Sequence, residues 1–290
     1  MHKILFAGVS AIAITLGAMS SAGAVDLKFP KGEGKFSWDA LKAFADAHKG
    51  MEGKKLTIWG PWREGGDQEQ FQTVLAYFED ATGIDVSYAS SENYEQQAQI
   101  DAAAGSSANI TILPQPGLLA DMAAKGYLTP LGDDLQKQVE ANNAAGSSFV
   151  SLGTYKGKDG TPAFFAVPYK ADLKSLVWYS PDNFKDAGYE VPQTFEDLQA
   201  LTEKMVADGK TPWCIGLGSG GATGWPATDW VEDIMLRTQS PADYDAWVNN
   251  SLKFNDPKVV AAIDLFGWFA KDDKKVNGGH AAVGTTDFRE

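Results

Sequence analysis

The sequence predicts an α/β protein of two lobes, built on a parallel sheet with helices on both faces. Three observations point there. Residues 55–126 alternate short apolar runs with longer amphipathic ones, the texture turns Gly-rich and aromatic over 151–170, and 290 residues are enough for two ordinary domains.

In chain order, Lys3 followed by an uncharged apolar run at 4–19 and by Ala22, Gly23 and Ala24 reads as a secretory signal peptide, 1–24, cleaved after Ala24. Residues 25–54 form an N-terminal extension: a lead carrying Pro30, Gly32 and Gly34, then an amphipathic stretch at 37–49. Next come strands at 56–59, 84–88 and 109–113 and helices at 67–82, 93–104 and 118–125. That β-α-β-α-β-α order fits parallel strands joined by right-handed crossovers. In the first of these helices Phe71, Val74, Leu75 and Phe78 share one face. Further on, 176–179 reads as a strand running into Pro181, and Thr194 with Asp197 resembles a capping box opening a helix that ends at Gly209. A strand at 213–217 leads through a glycine loop, 216–224, into a helix at 225–237 with Pro226 in its first turn. Helices at 241–249 and 256–271 and a strand at 281–286 complete the pattern.

Composition narrows the function. Lys+Arg 25 against Asp+Glu 38 gives a formal charge of -13, which repels phosphate backbones and anionic lipid and argues against nucleic acid or membrane surface as partner. Three His leave little for a histidine metal site, no cofactor motif stands out, and one Cys permits no internal disulfide in these residues. No G-x-S-x-G elbow, Walker loop or HExxH is present.

Parallel strands exit on one edge, and ligands bind among the loops that follow them. Those loops are GPWRE at 60–64, SSENY at 90–94 and PQPG at 114–117, with GSGGATGWPATDW at 218–230 in the second half. Aromatics beside amides, hydroxyls and carboxylates suit a sugar, whose hydroxyls donate and accept while its C–H face is apolar. Trp225 is the best stacking candidate, whereas Trp230 shares a helix face with Ile234 and suits the core. Trp62 and Tyr94 have a plainer alternative as caps on the core at the sheet edge. GLGSGG at 216–221 matches GxGxxG, yet the helix opens only near Trp225, too late to receive a pyrophosphate at those glycines. Glu64, Asp67, Glu92, Asp172 and Asp229 could furnish a glycosidase pair, so a secreted glycoside hydrolase or sugar-modifying enzyme is the rival function.

The runs LTIWGPW at 56–62, FEDATGI at 78–84, ILPQPG at 112–117, YKGK at 155–158, VPY at 167–169 and SLVWY at 175–179 resemble family 1 extracellular solute-binding proteins of ABC sugar importers. WCIG at 213–216, ATGWPATDW at 222–230 and TTDFR at 285–289 resemble its alpha-glucoside-binding branch. The resemblance implies a periplasmic-binding-protein-like fold with a hinge, a first lobe at 55–168 and a second at 169–290. It implies a monomeric, non-enzymatic periplasmic receptor that carries alpha-glucosides or related oligosaccharides to membrane permease subunits, with no cofactor. By position it places sugar contacts at Trp62, Arg63, Glu92, Gln115, Trp225, Asp229 and Phe288, and at Lys170 and Asp172 on the hinge strand. In that family the chain returns to the first lobe and finishes on the second, so the resemblance implies a copy incomplete at its C-terminus, with both lobes partial. It also implies that Cys214 pairs with a second cysteine in that C-terminal part; the alternative is a buried, inert thiol.

Overall fold

A computed structural model describes residues 27–290, and the expected signal peptide lies outside the described residues. The described chain forms two compact units, one made of residues up to 90 with 108–112, the other of 91–107 with 113–290.

The first unit holds α1 (Trp38–Ala47), β1 (Lys55–Trp59), α2 (Gly65–Thr82), β2 (Asp85–Ala89) and β3 (Ile110–Thr111). All pairings are parallel, in the order β2-β1-β3. β1 pairs with β2 from Lys55↔Asp85 to Trp59↔Ala89, but meets β3 only at Ile58↔Ile110 and Trp59↔Thr111. The expected strand at 109–113 is cut short because the Asn109 side chain takes over the ladder: its Oδ1 accepts from the Thr57 amide at 2.9 Å. Ile58, Phe71, Tyr77 and Ile84 are buried.

The expected helix face needs correcting, since Val74 is 41 % exposed and Tyr77 only 6 %. The reason is the N-terminal extension, which lies on the Tyr77 side of α2. The Tyr77 hydroxyl accepts from the Phe29 amide at 2.8 Å and donates to the Phe29 carbonyl at 2.7 Å. The rings of Phe36 and Trp38 stand 5.8 and 5.3 Å from the Tyr77 ring. α1 itself buries no side chain fully, as an outer appendage should.

The second unit begins with α3 (Tyr94–Ala104) and α4 (Pro116–Lys125). There follow α5 (Asp133–Asn142), α6 (Gly146–Leu152) and an antiparallel hairpin of β4 (Thr154–Lys156) and β5 (Pro162–Phe164). Leu119 and Ala123 of α4 pack with Phe165 and Tyr155 beside the hairpin. After α7 (Pro181–Ala187), α8 (Phe195–Ala207) opens on the expected capping box: Thr194 Oγ1 accepts from the Asp197 amide at 3.1 Å, and Asp197 Oδ2 accepts from the Thr194 amide at 3.2 Å. α9 (Trp225–Thr238), α10 (Pro241–Val248) and α11 (Pro257–Ala270) follow. Ile215, Phe269, Val276 and Val283 form one buried cluster, and Val231, Ile234, Met235, Val259 and Ala262 another. Trp230 packs against both.

Three expected strands are not strands. Residues 176–179 have no regular structure and are exposed, Trp178 at 85 %, because none of the described sheets supplies them a ladder partner. Residues 213–217 make only a single parallel bridge, Trp213↔Val276, and Gly218 just beyond them makes another, to Asp287. Residues 281–286 fold as turns behind a short 3₁₀ helix at His280–Ala282. An apolar run becomes a strand only where a neighbour takes its amides and carbonyls in a continuous ladder, and none of these three segments has one among the described residues. Gly218 has a packing role in this arrangement: a Cβ would stand 2.8 Å from the Thr286 carbonyl oxygen.

Candidate functional site

Within the second unit, residues 92–93, α3, Gln115 and the glycine loop enclose a cavity of about 200 Å³. Glu92, Asn93, Glu95, Gln96, Gln99 and Gln115 supply its side chains, closed by backbone at 221–222. This volume is below the roughly 300–1,000 Å³ of pockets that engulf a drug-sized ligand, so it suits one small polar unit of a ligand. Burial lifts the Glu95 carboxyl above its usual range. The glycine loop fits because it lacks side chains: a Cβ on Gly220 would stand 2.5 Å from Glu92 Oε1, and one on Gly221 2.6 Å from Asn93 Oδ1. The GxGxxG pattern is therefore explained by close packing, and α9 does begin at Trp225.

The same loop delivers a second group of side chains. It is pinned by Thr223, whose Oγ1 accepts from the Ser219 amide at 3.0 Å and donates to the Gly220 carbonyl at 2.7 Å. Trp225, Asp229 and Glu232 then lie on one face of α9 by their spacing. Lys174 Nζ sits 2.9 Å from Asp229 Oδ2 and 4.5 Å from the centroid of the Trp225 ring. Phe288 stands 5.0 Å from the Trp225 ring at 69°. Burial first, then the Asp229 charge, raises the Glu232 carboxyl. Burial and then Glu232 push the Tyr244 hydroxyl up to about 12, so it remains a proton donor, and it donates to Glu232 Oε2 at 3.3 Å. An indole beside a carboxylate and an ammonium offers an apolar platform with polar partners on its rim.

The structure thus brings Glu92 together with Gln115, and Trp225 together with Asp229 and Phe288. Lys170 and Asp172 pair with each other at 3.3 Å, both largely exposed, in a segment that is not the expected hinge strand. In the first unit Trp62 packs 5.0 Å from Phe71, and Tyr88 Oη accepts from its amide and donates to its carbonyl, both at 2.9 Å. Arg63 beside it is exposed, and Tyr94 in the second unit is buried. Glu95, Gln96, Gln99 and Glu232 were legible as further members by helical spacing from Glu92 and Trp225; Lys174 carried no such signal, because its partner lies 55 residues away. Among the described residues no helix is long and apolar enough to cross a membrane.

The chain is 58 % identical over 294 residues to the alpha-glucosides-binding periplasmic protein AglE of Rhizobium meliloti, covering 100 % of this chain and 64 % of AglE. It is 43 % identical over 235 residues to the osmoprotective compounds-binding protein GgtB of a Synechocystis species, covering 81 % of this chain and 54 % of GgtB. The chain therefore spans less than two thirds of the length of either relative. Among solved structures, RafE in complex with raffinose matches with a TM-score of 0.55 at 18 % identity, over 81 % of this chain and 58 % of RafE. The solute receptor AcbH matches with a TM-score of 0.53 at 23 % identity, over 79 % of this chain and 55 % of AcbH. These two likenesses concern the fold. The model of the bacterial extracellular solute-binding protein family matches residues 63–290, and the chain belongs to that family.

Proposed function

We propose that this protein is a periplasmic receptor that captures alpha-glucosides and delivers them to the permease subunits of an ABC importer. The observation that carries the proposal is the 58 % identity along the whole chain to a protein named for binding alpha-glucosides. The site chemistry supports it: carboxamides around a small cavity can both donate to and accept from sugar hydroxyls, and Trp225 offers a face for a sugar ring. In this scheme the protein is exported with cleavage after Ala24, its lobes close on the sugar by a hinge motion, and the permease recognises the closed form. Glu92, Gln115, Trp225, Asp229 and Phe288 contact the ligand, with Trp62, Arg63, Lys170 and Asp172 at further contact positions. No residue acts as a catalyst.

The test is a thermal-shift screen of the intact protein against maltose, trehalose and sucrose. A sugar at a hundred times its dissociation constant adds about 2.7 kcal/mol of stability. No shift with any alpha-glucoside rejects the proposal, and glucose released on incubation favours the glycoside hydrolase instead.

Gln115→Ala is expected to weaken binding by about 0.5–1.5 kcal/mol, the net worth of a typical hydrogen bond. The melting temperature should stay unchanged, since Gln115 is exposed and makes no side-chain cap on α4. An unaltered calorimetric isotherm removes Gln115 from the site.

Among the described residues Cys214 is exposed, with its Sγ donating to the Glu290 carbonyl at 3.2 Å. We propose that in the exported protein it is half of a disulfide whose other cysteine lies outside these 290 residues. Intact mass without reduction, compared before and after alkylation in denaturant, should show no free thiol. Full alkylation of Cys214 sinks the idea.

A further inference from the structure

One face of the Trp225 indole already has an occupant. Lys174 Nζ lies over the Trp225 ring at 4.5 Å and holds Asp229 Oδ2 at 2.9 Å, so one ammonium engages both the apolar platform and its carboxylate. The lysine comes from a segment, 171–179, with no regular structure. The residue after it, Ser175, has φ 63°, a left-handed backbone that a serine adopts only at a cost. Leu173 and Trp178 of the segment face solvent. The backbone is thus turned at Ser175 while the apolar neighbours stay in water, and the charged side chain is what the segment lays on α9.

We propose that Lys174 is a place-holder for the sugar: it covers Trp225 and neutralises Asp229 in the unliganded protein, and it moves aside when a sugar ring stacks. This rests on Trp225 being the sugar platform. An ammonium and a sugar ring cannot share one indole face, because stacking needs the ring carbons in van der Waals contact with it. Displacement releases Asp229 to accept from a sugar hydroxyl. It breaks only a cation–π pairing and a surface ion pair, both open to water, so the competition is mild and reversible. Lys174 thereby sets the affinity without being a ligand of the sugar.

The experiment compares the intact wild-type protein with Lys174→Ala and Lys174→Arg, using calorimetric titration with maltose, trehalose and sucrose. Lys174→Ala should bind roughly two- to tenfold more tightly, as removal of an interaction of cation–π strength predicts. Lys174→Arg, which also covers an indole, should bind no more tightly than wild type. In protein labelled with 5-fluorotryptophan, the Trp225 resonance is the one missing from the spectrum of Trp225→Phe. Lys174→Ala should shift it in the absence of sugar, and saturating sugar should bring wild type and variant to one position. Unchanged or weaker binding by Lys174→Ala overturns the place-holder and leaves the receptor intact. A wild-type protein that binds none of the three sugars defeats the receptor proposal and the place-holder with it. A Trp225 resonance indifferent to Lys174→Ala overturns the place-holder whatever the sugar does.

Discussion

Trp230→Ala is expected to destabilise the protein by about 2–4 kcal/mol, below the usual 3–5 kcal/mol for a fully buried aromatic because its ring is only partly buried. Its ring lies 5.7 Å from Trp213, 5.6 Å from Phe266 and 5.2 Å from Phe269, and it is packed against both buried clusters of the second unit. Alanine there would leave a void between two groups of side chains that include the fully buried Phe269, Met235 and Val259. For a unit of this size each kcal/mol lowers the melting temperature by about 2–4 °C, so the transition should fall by roughly 4–16 °C. Sugar affinity of the protein that remains folded should hardly move. Scanning calorimetry that finds the transition within a degree or two of wild type would show that the core does not depend on this ring.

Trp225→Ala, five residues earlier on the same helix, should do the opposite. Its ring is half-buried and touches Phe288 and the Lys174 ammonium rather than a buried cluster. Truncation should therefore cost little in melting temperature. Loss of the apolar face should weaken alpha-glucoside binding by about 1–3 kcal/mol, a factor of roughly five to 150. Titration calorimetry on a folded variant with unchanged affinity would contradict the stacking role. If the two tryptophans exchange behaviour, the assignment of the helix face is reversed.

The contrast between these residues was legible because helical spacing places Trp230 with Ile234 and leaves Trp225 at the first turn beside Pro226. Local signals carried over well: the capping box at Thr194, the β-α-β order, the late start of α9. What failed were the strands at 176–179, 213–217 and 281–286, where the outcome depended on partners distant in sequence. A single bridge such as Gly218↔Asp287 cannot be foreseen from either segment alone. α6 and the β4-β5 hairpin were missed because elements of three to seven residues carry too little periodicity, and α5 because its ten residues hold only two large apolar side chains, Leu135 and Val139. Around Trp225 the partner distant in sequence was not legible: Lys174 reaches Asp229 from a segment whose sequence resembles a strand, while Lys170, the more conspicuous lysine, pairs locally with Asp172.

The apolar segment without a ladder has a consequence for how these residues behave in solution. Leu176, Val177, Trp178 and Tyr179 together present strand-forming side chains to solvent outside any described ladder, which favours intermolecular cross-β association. The formal charge of -13 holds copies apart only while it is unscreened. At physiological ionic strength that repulsion decays within about 8 Å. Salt and concentration should therefore govern whether these residues stay dispersed, with the surplus of carboxylates acting as a colloidal stabiliser against this adhesive stripe.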